Sequence, residues 1–254
     1  MNARVWLANV LWILGYPDQA LRRSREALDA AQQLDHFLSR VLALYGAGHA
    51  HQARGDDQGL SQVVQALEQL VRGKQLLVGE VWVAVFGGWL LLRAGQGTEG
   101  LARLRRGTDA WQKTGAIFGT TYQLGLLVEA CLLAGEPGEG LEVVERALAL
   151  VERTGARPNE ADLHRLKGEL LLACRDAPDE AQAEQCFRRA IELGRAGEQK
   201  RWELRAAMSL ARLWQAQGRR VEAARTLEAG MAAAEANGDA HAAAEMRKMR
   251  EALS

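Results

Sequence analysis

Cysteine is scarce in this chain, and its three copies, Cys131, Cys174 and Cys186, show no C-x-x-C spacing. A disulfide framework or a cysteine-based metal site needs a clustered or larger set, so neither is expected. Each thiol falls in a stretch of helical composition. We therefore expect small, reduced core residues in a cytoplasmic protein.

Net charge and long apolar runs are also absent. The 32 basic residues balance the 32 acidic ones, so nothing in the overall charge favours nucleic acid or an anionic membrane. The longest uncharged apolar run, Val81 to Leu92, has 12 residues, against about 20 needed to span a bilayer. The apolar N-terminal stretch lacks both a strongly basic start and an A-x-A cleavage site. The sequence thus predicts a cytoplasmic protein with no nucleic-acid and no membrane partner.

Motifs for catalysis or metal binding are missing as well. Neither G-x-x-x-x-G-K-[ST] nor G-x-S-x-G occurs, and the G-x-G-x-x-G match from Gly95 to Gly100 binds a dinucleotide only when a strand precedes it. The pair His49-x-His51 places its imidazoles on different faces of a helix, which is poor metal geometry. His51 is predicted to face the core and His49 the exposed surface. We expect no catalytic residue, no cofactor and no metal.

A period of 40 residues is what the chain does have. Only four prolines accompany its Ala, Leu, Arg and Glu, a composition typical of an all-α fold. Turn-type glycines follow the period, and small residues follow it in three further registers, all of which shift by three residues late in the chain. The four series are Gly15, Gly55, Gly95, Gly135 and Gly218; Ala8, Gly48, Gly88, Val128, Gly168 and Ala211; Ala20, Leu60, Gly100, Gly140, Ala183 and Ala223; and Ala27, Leu67, Gly107, Ala147, Ala190 and Gly230.

Each period predicts a helix A that ends at the turn glycine and an amphipathic helix B that follows it. One such hairpin cannot bury both faces, so copies must stack. We predict a tetratricopeptide-like α-α superhelix, or solenoid, of about six pairs, forming a single domain over 1–254. The shift comes from three extra residues in the connection that contains Asp176, Pro178 and Asp179. The predicted repeats are 1–36, 37–76, 77–116, 117–157, 158–199 and 200–237, followed by a capping helix at 238–254.

The repeat geometry also predicts a binding surface. In such arrays the residue after the small crossing position on helix A, with its neighbours at helical spacing, faces the concave groove. Exposed aromatic side chains beside polar groups are typical of recognition surfaces. Alternatively, Trp82 and Trp89 simply fill a narrow groove. The candidate groove residues are Asn9, Trp12, Tyr45, His49, Gln52, Trp82, Trp89, Arg93, Tyr122, Glu129, Arg165, Glu169, Arg205, Arg212 and Gln215.

Several segments resemble a known group of repeats. "ALYGAGHAHQARGD", "LHRLKGELLLA" and "WELRAAMSLARLWQAQGRRVEA" resemble the C-terminal tetratricopeptide-like region of bacterial signalling proteins in which a class III adenylate or guanylate cyclase precedes a STAND-type AAA ATPase. They are also similar to the repeats of LuxR-type activators of the maltose-regulator kind. The resemblance covers nearly the whole chain. Since neither a P-loop nor a cyclase aspartate pair is found, it implies a regulatory arm without the catalytic domains.

Three hypotheses of function follow. The first is a non-enzymatic interaction module that binds a protein or peptide, including a cyclase or ATPase domain of its own system, through the concave groove. The second is a small-molecule sensor, since related arms of transcriptional activators bind an inducer. The third, an enzyme fragment, is disfavoured by the missing catalytic motifs.

Overall fold

The computed structural model describes residues 2–33, 36–74, 76–117, 119–174 and 178–253. Within these ranges the chain forms thirteen α-helices and no strand, which confirms the predicted all-α fold class. In chain order the helices are α1 (Asn2–Ile13), α2 (Pro17–Gln33), α3 (Phe37–Arg54), α4 (Asp57–Val71), α5 (Leu77–Arg93), α6 (Gly97–Gln112), α7 (Thr120–Ala134), α8 (Pro137–Thr154), α9 (Glu160–Ala173), α10 (Glu180–Ala196), α11 (Lys200–Ala216), α12 (Arg220–Ala236) and α13 (Ala240–Glu251).

The predicted turn glycines lie between the two helices of a pair. All five, from Gly15 to Gly218, have φ between +69° and +89°, the left-handed conformation that glycine adopts without a Cβ penalty. Gly95, for example, has φ +83° and separates α5 from α6. The 40-residue spacing of these glycines therefore marks equivalent turns, as the sequence predicts.

Small residues permit a close crossing of α5 and α6. A Cβ on Gly88 would lie 2.7 Å from the carbonyl oxygen of Gly100, and a Cβ on Gly100 would lie 2.7 Å from the carbonyl oxygen of Gly88. Neither position has room for a side chain, because the obstructing atoms belong to the backbone. In this pair Gly88 and Gly100 are thus a packing requirement.

Two compact units divide the chain: unit 1 is Met1–Trp12 with Pro17–Gly135, and unit 2 is Ile13–Tyr16 with Glu136–Ser254. In unit 1 each helix from α2 to α7 packs against the next, and the A helices α3, α5 and α7 also pack against one another. In unit 2 the same consecutive packing runs from α8 to α13, with α9 against α11. The single domain over 1–254, with its repeat boundaries, stays a prediction.

The end of unit 2 carries the helix expected after the sixth pair. Asp239 caps α13 by accepting a hydrogen bond from the backbone N–H of Ala242 at 3.0 Å, and Met246 is fully buried. At the three-residue shift, Asp179 caps α10 in the same way through Gln182, at 2.8 Å. Asp176, in the same predicted insertion, lies outside the described residues.

The apolar run from Val81 to Leu92 lies inside α5, where Val85 and Phe86 are fully buried. No helix within the described ranges is long and apolar enough to cross a membrane. Cys131 and Cys186 are buried thiols, as expected, whereas Cys174 is half-buried.

Candidate functional site

An aromatic cluster fills the interior of unit 1 where its A helices meet. It consists of Tyr45 and His49 from α3, Trp82 and Phe86 from α5, Trp111 from α6 and Tyr122 from α7. The ring centroids of Tyr45 and Trp82 are 4.3 Å apart, and those of His49 and Tyr122 are 4.6 Å apart. Trp82 also lies 5.4 Å from Phe86 and 6.2 Å from Trp111. These separations are typical of stabilising aromatic contacts.

Polar groups border this aromatic cluster. The Tyr122 hydroxyl donates a hydrogen bond to Oε1 of Gln52 at 3.1 Å, and Asn9 hydrogen-bonds Tyr45. Burial raises the pKa of Tyr45 well above its usual value, and it raises the pKa of Tyr122, with smaller contributions from Tyr45 and Glu129. Both phenols therefore stay protonated and act as hydrogen-bonding groups.

Removal of the Tyr122 hydroxyl provides a test of this contact. We expect Tyr122→Phe to lower the free energy of unfolding by about 1 kcal/mol, because Gln52 loses its donor while the ring packing is retained. Urea denaturation followed by circular dichroism measures the change. Tyr16→Phe is the matched control, since Tyr16 is a half-buried tyrosine outside the aromatic cluster, and it should shift stability by less than about 0.5 kcal/mol. Equal losses in the two variants would contradict the assignment.

The sequence prediction that His49 faces the exposed surface is wrong. Its side chain is buried in the aromatic cluster, whereas His51 is only half-buried. The prediction was wrong because it considered only the packing between helices A and B of one pair. In the structure α3, α5 and α7 also pack against one another, and this second contact encloses His49.

The tryptophans predicted to line a groove are likewise interior residues. Trp12, Trp82 and Trp89 are only 4%, 2% and 6% exposed. The alternative that Trp82 and Trp89 fill the space between helices therefore accounts for their burial. Their role in binding a partner stays a prediction, as does that of the other groove candidates.

An ionic cluster occupies the corresponding face of unit 2. It consists of Asp162, Arg165 and Glu169 on α9, and Arg205, Ser209 and Arg212 on α11. Spacings of three, four and seven residues place each set on one face of its helix, and α9 packs against α11. The structure thus brings together four of the five groove candidates predicted in this unit.

Two carboxylates organise the ionic cluster. Asp162 accepts a hydrogen bond from Nε of Arg165 at 2.6 Å, and its second oxygen lies 3.6 Å from Nη1 of Arg205. Glu169 accepts hydrogen bonds from the Ser209 hydroxyl at 2.5 Å and from Nη2 of Arg212 at 3.2 Å. Three arginines therefore share two acidic partners, and the ionic cluster keeps one excess positive charge.

Burial differs across the ionic cluster. The Arg165 side chain is 6% exposed, and its Nη2 is a buried donor with no hydrogen-bond partner among the described residues. Glu169, Arg205 and Arg212 are 26%, 25% and 49% exposed at the side chain. Although burial alone would raise it, the pKa of Asp162 is lowered by Arg165 and Arg205. Burial, and then the nearby Arg205, lower the pKa of Arg201 to about 10.

Asp162 and Ser209 were absent from the predicted groove, although the sequence contained their signal. Asp162 lies 40 residues after Tyr122 and 43 before Arg205, both of which were predicted. Ser209 is not on the register of Glu169, because the three-residue shift makes Arg212 the equivalent of Glu169. Its signal is helical spacing, four residues after Arg205 and three before Arg212. Following the period through all repeats would have identified Asp162.

The remaining candidates lie apart from the two clusters. Arg93 is about half exposed and pairs with Asp57, its Nε 3.3 Å from the carboxylate. Gln215 is exposed. Exposed pairs such as Arg93 with Asp57 contribute little to stability.

The motifs considered for cofactors have structural explanations. Gly97 is the first residue of α6, and the element before Gly95 is helix α5, so the context of a dinucleotide site is not met. Nδ1 of His51 lies 2.8 Å from Oδ2 of Asp56, which caps α4 through Gly59. Among the described residues no group of three or more His, Cys, Asp or Glu side chains is arranged to hold a metal ion.

Comparison with known proteins yields structural likeness only. The sequence matches no protein-family model and no curated protein. The chain is similar to a crystal structure of a Podospora anserina putative kinesin light chain with nearly identical tetratricopeptide-like repeats, at 20% identity over 94% of this chain and 96% of that one, with a TM-score of 0.39. A point variant of that protein is similar at 20% identity over 93% and 95%, with a TM-score of 0.38.

Proposed function

We propose that this chain is a non-catalytic interaction module of a bacterial signal-transduction system, and that its partner docks on the ionic cluster of unit 2. Tetratricopeptide-like repeats commonly serve as protein-binding scaffolds, because stacked helix pairs present extended surfaces. The partner is a protein or peptide, and a cyclase or ATPase domain of the same system fits the sequence resemblance.

The observation that supports this location is the difference between the two clusters. In unit 1 the aromatic side chains predicted for the groove pack against one another inside the unit. In unit 2 the predicted residue Arg212 is exposed, and Glu169 and Arg205 are partly exposed. An acidic segment of the partner would complement the excess positive charge of the ionic cluster, and such complementarity raises both specificity and the rate of association.

Affinity capture with four immobilised forms of the chain tests the location. We expect Arg205→Glu with Arg212→Glu to reduce recovery of the partner at least tenfold relative to wild type, measured by quantitative mass spectrometry. Arg146→Glu with Arg153→Glu reverses two exposed arginines on α8 and is the matched control, which should capture as wild type does. Arg212→Ala alone leaves the pairs of Asp162 with Arg165 and Arg205 intact, and it should also weaken capture.

Equal recovery by all of these forms would overturn docking on the ionic cluster. Nucleotide hydrolysis or cyclisation by the purified chain would overturn the non-catalytic assignment. An adjoining reading frame for a cyclase or ATPase would support the proposed system.

Sensing of a small molecule is the second candidate function. The observation that favours it is a cavity in unit 1, which none of the groove candidates lines.

A further inference from the structure

A cavity of about 330 Å³ lies among helices α2, α3 and α4 of unit 1. Its apolar floor is formed by Leu28 and Ala31 of α2, Leu44 of α3, and Ala66 and Leu70 of α4. Arg40, Arg72 and Lys74, which are exposed, form a basic rim, and the amides of Gln32 and Gln69 complete the lining. The cavity is therefore lined by five apolar residues, two amides and three cations.

Among the described residues, no carboxylate compensates the charge of the basic rim. None of the described lining residues is acidic, and none of the described carboxylates forms an ion pair with Arg40, Arg72 or Lys74. The Lys74 ammonium lies 4.3 Å from the ring centroid of Phe37, which holds its side chain beside the opening. Three cations at one opening repel one another unless an anion joins them.

Helix dipoles explain only part of this arrangement. Arg72 and Lys74 follow the C-terminal end of α4, where a positive charge is favourable. Arg40 lies in the first turn of α3, where the dipole disfavours a positive charge. Its presence there is not accounted for by local helix stability, so a role in binding an anion is the better explanation.

We propose that the cavity binds a small organic anion, whose apolar body rests on the floor and whose carboxylate or phosphate meets the basic rim. The volume lies at the lower end of the roughly 300–1,000 Å³ found for ligand pockets. Since a water molecule takes about 30 Å³ of liquid, the space suits a body of about ten non-hydrogen atoms. The proposal deepens the sensing candidate by naming the ligand class, and it is independent of docking on the ionic cluster.

Isothermal titration calorimetry on the full chain at pH 7.5 and low salt tests this proposal with simple probes. Octanoate and octyl phosphate should bind with dissociation constants below about 1 mM. Octanol should bind at least tenfold more weakly, because it lacks the charge, and octylammonium should not bind. Inorganic phosphate alone should not bind either, because it has no apolar body. The tighter of the two anionic probes identifies the preferred headgroup.

Variants locate the binding. Arg40→Gln with Lys74→Gln should weaken the anionic probes at least tenfold, whereas Arg22→Gln with Arg25→Gln, which removes the same charge from exposed positions on α2, should leave them unchanged. Ala66→Leu should weaken octanoate by filling the floor without changing any charge.

Three results would overturn the proposal: no binding of either anionic probe, equal affinity for octanol and octanoate, or equal loss in the rim and control variants. Partner capture separates this proposal from the docking proposal. The rim variants should capture the protein partner as wild type does, and failure of octanoate to bind would leave docking on the ionic cluster untouched.

Discussion

Replacing Gly100 with alanine is expected to lower the free energy of unfolding by about 2–3 kcal/mol. The new Cβ would lie 2.7 Å from the carbonyl oxygen of Gly88 and 2.7 Å from the backbone nitrogen of Leu92. Backbone atoms of a helix cannot move aside singly, so α5 and α6 must separate and lose part of their packing. The gain in helix propensity from glycine to alanine, about 1 kcal/mol, offsets only part of this loss.

Gly97→Ala is the matched control, three residues away in the same helix. A Cβ there meets its nearest neighbour, Ala134, at 3.6 Å, an ordinary van der Waals contact. Its stability should be unchanged or raised by up to about 1 kcal/mol. Thermal and urea denaturation of both variants measure the difference. Equal stability of the two variants would mean that the small residues are not required by the helix crossing.

Acidification should destabilise the protein through His49, by about 3 kcal/mol in total. Burial without an acidic partner lowers the pKa of His49 from 6.5 to about 4. Between pH 6.5 and about 4, the unfolded chain therefore binds a proton at His49 that the folded chain does not bind. Stability attributable to His49 is present above pH 6.5 and is lost as the pH falls to about 4. Denaturant unfolding across this range measures the loss.

Two histidine variants isolate the contribution of His49. His49→Phe keeps an aromatic ring beside Tyr122 and should remove most of the loss between pH 6.5 and 4. His164→Gln is the comparison, because His164 is only half-buried and its pKa, though also lowered by burial, is partly sustained by Glu160. Removal of the His164 imidazole should change the pH dependence of stability less than removal of the His49 imidazole. If His49→Phe retained the wild-type dependence, the buried neutral imidazole would not be its cause.

The sequence predicts the fold well because the repeat depends on residues whose structural requirements are local. The turn needs a glycine because its φ is positive, and the close helix crossing needs small residues. Both constraints act within one helix pair. Gly95 and Gly100 illustrate this, since their spacing predicts the turn and the crossing that the structure shows. The stretch Gly95–Gly100 matches a dinucleotide-binding motif only because of this spacing.

The site is less predictable because it depends on contacts between pairs. The burial of His49 and Trp82 follows from how α3, α5 and α7 approach one another, which a period along the chain does not specify. Eight of the fifteen predicted groove residues lie in one of the two clusters. Which of them stay exposed depends on side-chain volume: the large rings of unit 1 close the space, whereas the charged ends in unit 2 remain partly solvated.

Asp162 illustrates the opposite case, because its position follows from the repeat period. Its register equals that of Tyr122 and Arg205, yet an aspartate does not resemble the aromatic residues at the same position in earlier repeats. The structure shows that it anchors Arg165 and Arg205. A change of chemistry along one register, from rings in unit 1 to charges in unit 2, is what distinguishes the two clusters.

The most direct measurement of the central claim is the affinity of a purified, captured partner for three forms of the chain. We expect wild type and Arg146→Glu with Arg153→Glu to bind alike, and Arg205→Glu with Arg212→Glu to bind at least tenfold more weakly, a loss of about 1.4 kcal/mol or more. Because the contact is electrostatic, raising the salt concentration should weaken the wild type and the α8 control together. Equal affinity for all three forms would contradict docking on the ionic cluster.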